Sequence, residues 1–170
     1  MNIFGHNAIV NDANVLIDFC ELALLPRFFA VPCEFFVPFT VWEELAENSK
    51  QILAPFVAAS RLRIDDTVPL AQARTLQLGH QGLSLADCAA VLLAQNRGAI
   101  LLTGDKAMRN CAQTLRVECH GHLWVFRQMA AVFPREKATL REKFLALCDE
   151  INPKLGIPPG DRAALLKELA

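Results

Sequence analysis

Short apolar runs alternate along the chain with longer segments of helical periodicity, and this alternation limits the possible folds more than any other feature. The strand candidates cover residues 8–10, 35–37, 62–64, 99–102 and 116–119. The helical segments cover residues 15–25, 41–48, 51–59, 69–78, 85–96, 106–115 and 123–132. Parallel strands need crossover connections, and these are usually helices. The pattern therefore predicts an α/β fold, with a parallel sheet of about five strands covered by helices on both faces.

The length of 170 residues is close to that of one average domain. Strand signals stop at residue 133. The remaining chain begins with the charged stretch PREKATLREK, continues through the turn-rich NPKLGIPPGD and ends in an amphipathic stretch over residues 162–169. We expect a main domain over residues 1–133 and a C-terminal helical extension over residues 134–170.

The composition excludes several classes of protein. A hydrophobic fraction of 53% is too high for a disordered chain, yet no apolar run reaches the roughly 18 residues of a membrane span. The formal net charge of −1 excludes the strongly basic surface of a general nucleic-acid coat. The six cysteines form no C-x-x-C pair, which favours the cytoplasm. Residues 1–6 lack the features of a signal peptide, so none is expected.

Acidic residues follow three of the predicted strands, and open α/β sheets bind ligands at the carboxyl ends of their strands. Asp12 follows the first strand, Glu43 and Glu44 come shortly after the second, and Asp105 follows the fourth. Asp87 lies in the first turn of a helix that is apolar nearly all round. Its carboxylate therefore needs a partner, because burying an unpaired charge is costly.

Each of these acids taken singly is best interpreted as a helix cap. Asp12 and Asp105 precede helices, and Ser84-x-x-Asp87 matches a capping box. Capping does not explain why four acids occur at one edge of a sheet, since like charges repel unless a cation lies among them. A divalent metal ion would supply that cation.

Helical geometry separates Glu43 from Glu44. At about 100° per residue, Val41 and Leu45 define the apolar stripe, with Glu44 beside it and Glu43 on the far side. Glu44 is therefore the acid expected to point inward. Glu43 is expected to form a capping box with Thr40, since the two match the required spacing.

Four motifs together resemble the PIN-domain family of metal-dependent nucleases, which has a Rossmann-like fold. They are, in chain order, VNDANVLIDF, VPFTVWEEL, LSLADCAAVLLA and ILLTGDKAMR. With the later segment GHLWVF, the resemblance covers about the first 133 residues. It implies a metal site formed by Asp12, Glu44, Asp87 and Asp105. It also implies supporting roles for three residues close to these acids, namely Asn14, Ser84 and Thr103.

The motifs favour Mg²⁺ or Mn²⁺ as the cofactor, because carboxylate oxygens are hard ligands and no thiolate or imidazole favours zinc. One or two such ions can activate a water molecule for phosphodiester cleavage, so no nucleophilic side chain is needed. The resemblance implies an RNA substrate and products with 5′-phosphate and 3′-hydroxyl ends. Lys106 and Arg109 follow Asp105 and are candidates for contact with backbone phosphates, although solvated surface charge explains them equally well.

Three functions are compatible with these residues. The leading hypothesis is a metal-dependent ribonuclease resembling the VapC-like toxins of toxin–antitoxin pairs, neutralised by a small antitoxin protein. The alternative is a catalytically silent PIN-like binding or assembly module, in which the acids serve as caps. The third is a phosphatase-like hydrolase with Asp12 as nucleophile, but it would need a lysine that the sequence does not place.

Other polar and aromatic residues are interpreted as structural. His120 and His122 stand two residues apart without a third soft ligand nearby. Asp18 is expected on an exposed face of the first helix. Trp124 lies in an apolar run and is expected in the core or at an interface.

A homodimer is expected, because a chain of this composition can hardly bury all of its apolar helix surface alone. The predicted contacts lie on the first helix and just after it: Val15, Leu16, Phe19, Leu22, Phe28 and Phe29. In the alternative, the extension folds back over this surface through the stripe of Leu140, Phe144 and Leu147, and the chain stays monomeric.

Overall fold

A computed structural model describes residues 8–170, so residues 1–6, where no signal peptide is expected, lie outside the described chain. The strands are β1 (Ala8–Asn11), β2 (Glu34–Pro38), β3 (Leu62–Asp65), β4 (Ile100–Leu102) and β5 (Cys119–His120). They pair in parallel in the order β3-β2-β1-β4-β5. The predicted α/β fold with a parallel five-stranded sheet is confirmed.

Helices connect the strands, as parallel pairing requires. Those up to residue 133 are α1 (Ala13–Glu21), α2 (Leu25–Phe28), α3 (Phe39–Glu44), α4 (Glu47–Ala58), α5 (Leu70–Gly79), α6 (Leu85–Arg97), α7 (Lys106–Thr114) and α8 (His122–Val132). The extension contains α9 (Lys137–Ala146) and α10 (Pro159–Glu168), joined by a π-helical turn (Leu147–Ile151) and a 3-10 turn (Pro153–Leu155).

Two helices predicted as single segments are each divided. The segment predicted over residues 15–25 breaks at Ala23, whose φ of 55° lies in the left-handed region, and Pro26 then occupies the first turn of α2. The segment predicted over residues 41–48 breaks at Leu45 and Ala46, which are extended. Helix α3 therefore ends at Glu44, one of the candidate metal ligands.

The last strand is shorter than its apolar pattern predicts. The sequence predicts a strand over residues 116–119, but Arg116 has a φ of 57° and closes the turn after α7. Its N–H donates to the carbonyl of Gln113 at 3.1 Å, and pairing with β4 begins only at Cys119.

The extension belongs to the same hydrophobic core as the sheet. Leu140, Phe144 and Leu147 are fully buried, and the ring of Phe144 lies 5.2 Å from that of Phe126 on α8. The turn that begins at Leu147 packs against α1. The C-terminal helices thus cover apolar surface that the strands and earlier helices leave open.

The dimer contact predicted on α1 and α2 is wrong. All six side chains proposed for it are buried within a single chain: Val15, Leu16, Phe19, Leu22, Phe28 and Phe29. Phe28 and Phe29 pack within the main domain, where the Phe28 ring lies 4.8 Å from that of Phe35 on β2. The alternative interpretation agrees with the structure for α1, against which the turn beginning at Leu147 packs.

The described residues contain neither a membrane-spanning helix nor a disulfide. Within residues 8–170, no helix is both long enough and apolar enough to cross a bilayer. All six cysteines are free thiols, and burial raises the pKa of Cys20 and Cys119 to about 11. Both therefore stay protonated and unreactive at neutral pH.

Candidate active site

Asp12 lies at the carboxyl end of β1, in the centre of the sheet. Its backbone N–H donates to the carbonyl of Leu102 at 3.1 Å, so it sits directly beside the end of β4. The residue is only 4% exposed, and the hydroxyl of Thr103 donates to its Oδ2 at 2.9 Å. Asp12 occupies the N-cap position of α1, as its place before the helix predicts, but its carboxylate forms no side-chain cap hydrogen bond.

The loop after β4 connects Asp105 to Asp12 through Thr103. The N–H of Asp105 donates to Thr103 Oγ1 at 3.0 Å, while the same hydroxyl donates to Asp12. Asp105 Oδ1 accepts from the N–H of Met108 at 2.8 Å, which makes Asp105 the side-chain cap of α7. Thr103, predicted as a supporting residue, therefore links two of the candidate acids.

Asp87 is held by the capping box that its spacing predicts. Its N–H donates to Ser84 Oγ at 3.0 Å, and its Oδ2 accepts from the N–H of Ser84 at 2.7 Å. Helix α6 packs against both β1 and β4, which brings its first turn toward the strand ends. The side chain is half-buried and has the hydrogen-bond partner that its apolar helix requires.

Glu44 and Glu43 are both exposed, but Glu44 is the one that interacts with the other acids. Partial burial and the nearby charge of Asp87 both raise the pKa of Glu44. The predicted capping box between Thr40 and Glu43 is wrong, because α3 begins directly after Pro38 and places Thr40 inside the helix. The hydroxyl of Thr40 is buried without a hydrogen-bond partner among the described residues.

Electrostatic coupling joins the four acids, which we call the acid group: Asp12, Glu44, Asp87 and Asp105. Burial is the largest influence on Asp12 and raises its pKa to about 6, against the lowering effect of the Thr103 hydrogen bond. The charges of Asp87 and Asp105 raise this pKa further. Like charges thus oppose one another at this edge of the sheet, as four acids without a cation should.

The donor chemistry of the acid group fits Mg²⁺ or Mn²⁺. Within residues 8–170, no three His, Cys, Asp or Glu side chains are already arranged around one ion position. Asp87 and Asp105 each use one oxygen in a cap and keep the other free of hydrogen bonds from described residues. Mg²⁺ commonly binds through one or two carboxylates and keeps several waters, so it does not require a closed protein cage.

The remaining predicted residues lie in different surroundings. Asn14 is exposed on α1 and forms no side-chain hydrogen bond within the described chain. Lys106 and Arg109 are both exposed, but Arg109 donates to the carbonyl of Thr103 at 3.1 Å. A Cβ at Gly121 would displace this guanidinium, which shows how closely Arg109 packs on the chain there. Arg109 therefore supports the loop of the acid group, whereas Lys106 is exposed and makes no hydrogen bond to another described residue.

Asp18 is buried, so the prediction that it lies on an exposed face of α1 is wrong. It is 5% exposed, its Oδ2 accepts from Asn152 Nδ2 at 3.0 Å, and it lies 2.8 Å from His122 Nε2. The His122 contact is within ion-pair distance but outside hydrogen-bond geometry. Positions 15, 18, 19 and 22 form one helical stripe, so the periodicity of α1 does place Asp18 on the buried face.

Asn11 is a buried polar residue that the sequence reasoning missed. Its Nδ2 donates to the carbonyl of Phe36 at 3.0 Å, and its Oδ1 has no hydrogen-bond partner among the described residues. The side chain therefore ties the end of β1 to β2, next to Asp12. The sequence did contain a signal for this role, since Asn11 is a polar residue at the end of an apolar strand.

Comparison with known proteins identifies the family. A family model described as the PIN domain matches residues 8–133, about three quarters of the chain. The chain belongs to the PIN-domain family. PIN domains are generally nucleases, which agrees with an acid group at the carboxyl ends of β1 and β4. The matched region of this PIN domain includes all five strands and ends after α8, so α9 and α10 lie beyond it. A comparison with curated proteins gives no match.

Proposed function

We propose that this PIN domain is a metal-dependent endoribonuclease that cleaves RNA phosphodiester bonds. The observation that carries the proposal is the state of Asp12, a buried carboxyl group whose pKa is raised to about 6 partly by Asp87 and Asp105. A site that repels its own charges binds a cation favourably, because the cation removes the repulsion. Repulsion among carboxylates lowers the stability of the fold, so a purely structural role does not explain this arrangement.

The roles follow from the contacts of each side chain. Asp12 and Asp105, with Asp87 and Glu44, would hold Mg²⁺ or Mn²⁺; the bound ion supplies water activation and stabilises the leaving oxygen. The Thr103 hydroxyl fixes Asp12 at 2.9 Å, and Ser84 fixes Asp87 through the capping box. These hydrogen bonds hold the carboxylates in place before substrate arrives.

A nuclease assay tests this proposal. Purified protein is incubated with mixed single-stranded RNA in Mg²⁺, Mn²⁺ or chelator, beside Asp12→Asn. Asp149→Asn is the matched control, because Asp149 makes only a surface ion pair with Arg162. We expect cleavage by the parent and the control with either metal, and none by Asp12→Asn. Cleavage that persists in chelator would contradict a metal-dependent mechanism.

We also propose that the nuclease is the toxin of a toxin–antitoxin pair, located in the cytoplasm and neutralised by a small antitoxin. Membership of the PIN-domain family and the resemblance of the motifs to VapC-like proteins support this. A short reading frame beside the gene would encode the partner. Expression of the parent should arrest bacterial growth, Asp12→Asn should not, and co-expression of the short frame should restore growth. Unimpaired growth with the parent would count against a toxin.

The catalytically silent binding or assembly module is the second candidate. Two observations favour it: Asp87 and Asp105 both serve as caps, and the described side chains form no three-ligand cluster. Thermal unfolding with added Mg²⁺ or Mn²⁺ separates the candidates. A metal site should raise Tm with increasing ion concentration, and Asp12→Asn should remove this rise. An unchanged Tm would favour the silent module.

The domain boundary and the oligomeric state are two further proposals. We propose that the main domain ends at residue 133, where the family match ends, and that the extension begins at residue 134. The extension packs on the main domain and shares its hydrophobic core. A homodimer is kept as a proposal, but α1 and α2 do not provide its contact. Light scattering on the full chain gives the mass directly.

A further inference from the structure

A groove lies beside the acid group, where the PIN domain meets the extension. We call it the extension groove, and its volume is about 640 Å³. The PIN domain contributes Gly104, Lys106 and Gly121, among others, and residues 155–158 of the extension line another part. Gly104 precedes Asp105 directly, so the groove begins at a loop of the acid group. The family match ends at residue 133 and therefore does not include all of this site.

The extension is fixed directly onto that loop. Asn152 donates to the buried Asp18 at 3.0 Å, just before the 3-10 turn that carries Leu155. A Cβ at Gly104 would lie 3.1 Å from Leu155 Cδ1, which shows how closely the two segments pack. The groove is therefore a built feature of the fold rather than a gap beside a loose tail.

Two stacked rings, which we call the His120–Trp124 surface, line the groove. The rings of His120 and Trp124 lie 4.8 Å apart with an interplanar angle of 11°, and both residues are partly exposed. Glu118 Oε1 lies 2.7 Å from His120 Nε2 and holds the imidazole in place. Nucleobases stack on aromatic side chains of this kind, with little dependence on base identity.

The charges in the groove suit a polyanion. Among the described residues, Lys106, Arg109 and Arg127 line the groove against the one carboxylate of Asp161. The chain as a whole has a net charge of −1. Arg127 is paired with Glu168 at 2.8 Å, and Arg109 is bound to the loop carbonyl of Thr103. Lys106 makes no hydrogen bond or ion pair to another described residue, so it is the cation available to a phosphate.

We propose that the extension groove binds single-stranded RNA, with an unpaired base on the His120–Trp124 surface and a backbone phosphate at Lys106. The inference rests on the proposed ribonuclease function and adds a binding site that includes the extension. RNA held here would lie next to Gly104, the residue before Asp105, and this would bring a neighbouring phosphodiester toward the acid group. Trp124, interpreted from the sequence as a core or interface residue, thereby acquires a second role.

Fluorescence anisotropy in chelator tests the site separately from cleavage. The probe is a fluorescein-labelled single-stranded RNA of about twelve mixed nucleotides, long enough for an ordinary single-strand site. We expect Trp124→Ala to weaken binding about tenfold and Trp124→Phe to retain most of it, because a phenyl ring still stacks. Lys106→Ala should weaken binding severalfold and reduce the slope of log affinity against log salt by about one. A merely structural role would not change that slope.

Lys167→Ala is the matched control for Lys106→Ala, since Lys167 is exposed on α10 and does not line the groove. If Trp124→Ala fails to fold, Lys106→Glu decides, because Lys106 is exposed. Parent-like affinity and salt slope in the Lys106 variants would overturn the assignment. So would tighter binding of a DNA strand of the same sequence, or binding of labelled hexaglutamate in place of RNA.

The groove proposal and the nuclease proposal can each be contradicted without the other, because binding and cleavage are measured separately. A parent that cleaves RNA, with groove variants that bind RNA normally, would remove the groove assignment and keep the nuclease. A parent that binds RNA through Lys106 and Trp124, but does not cleave it with Mg²⁺ or Mn²⁺, would remove the nuclease and keep the groove.

Discussion

Asp12 is a carboxyl group whose surroundings oppose its charge. Burial raises its pKa to about 6 from the ordinary value of 3.8, and the charges of Asp87 and Asp105 act in the same direction. One pKa unit corresponds to about 1.4 kcal/mol, so the charged form of Asp12 costs the metal-free fold roughly 3 kcal/mol at neutral pH. This destabilisation occurs at a residue that the family resemblance implies as a metal ligand.

Asp12→Asn should therefore stabilise the metal-free protein while it abolishes cleavage. The amide oxygen of Asn can still accept the Thr103 hydrogen bond, but the charge is removed. We expect the free energy of unfolding in chelator at pH 7 to rise by about 1 to 3 kcal/mol. Urea denaturation measures it. A variant that is less stable than the parent and still cleaves RNA would show that Asp12 has only a structural role.

The pH dependence of this difference has a definite sign. Between pH 4 and pH 6 the folded state keeps the Asp12 proton that the unfolded state releases, so the contribution of Asp12 to stability falls as pH rises. The stability of Asp12→Asn relative to the parent should be close to zero near pH 4, increase through pH 6 and then level off. Urea denaturation of both proteins across this range, in chelator, measures the difference. A difference that shrinks with rising pH would contradict the raised pKa.

Glu44→Gln should lower cleavage at least tenfold, whereas Glu43→Gln should leave it nearly unchanged. Glu44 shares an electrostatic interaction with Asp87, and Glu43 is its neighbour on the same short helix, which makes the two substitutions a matched pair. Initial rates at saturating Mg²⁺ compare them. Equal losses would mean that α3 presents both side chains to the acid group, and a reversed order would assign the role to Glu43.

At the scale of elements, capping and metal binding use the same side chains. Asp87 caps α6 and Asp105 caps α7, each through one oxygen, so each helix orients the carboxylate that it begins with. The two interpretations of these acids, as caps and as candidate ligands, are therefore compatible. A helix cap fixes a side chain at the point where a strand, loop and helix meet, which is where the sheet exposes its ligand edge.

Ser84→Ala should affect both stability and activity. Loss of this side of the capping box should cost about 1 kcal/mol of unfolding free energy. It should also lower cleavage, since Asp87 loses its fixed orientation. Ser49→Ala is the control, because Ser49 lies on α4 and its side chain makes no hydrogen bond to another described residue. Urea denaturation and initial rates follow the two effects, and full activity in folded Ser84→Ala would separate the cap from the site.

At the scale of the whole molecule, the extension completes the hydrophobic core. Phe144 is fully buried against Phe126, and Leu147 is fully buried in the turn that packs on α1. Without the extension, part of the apolar face of α1 would lose its cover. The extension thus provides the partner for α1, one boundary of the groove and the Asn152 contact to Asp18.

Phe144→Ala should therefore destabilise the whole protein, not the extension alone. A buried phenylalanine replaced by alanine commonly costs about 3 to 5 kcal/mol. Leu78→Ala is the control, because Leu78 is 85% exposed on α5 and should change the unfolding free energy by less than 0.5 kcal/mol, as is usual for surface sites. Urea denaturation followed by circular dichroism measures both. An early separate transition in Phe144→Ala would show that the extension unfolds alone.

The sequence by itself determined the order of strands and helices along the chain, and it placed Asp12, Asp87 and Asp105 at strand ends or helix starts. These features follow from local periodicity and capping chemistry, which act over a few residues. Only the tertiary structure decided that Asp18 meets His122 and Asn152, that Thr103 joins Asp12 to Asp105, and that the extension covers α1. Such contacts join residues far apart in the chain, so no local pattern contains them. The wrong prediction of a capping box between Thr40 and Glu43 shows the same limit. Helix α3 begins directly after β2, and local spacing does not reveal that start.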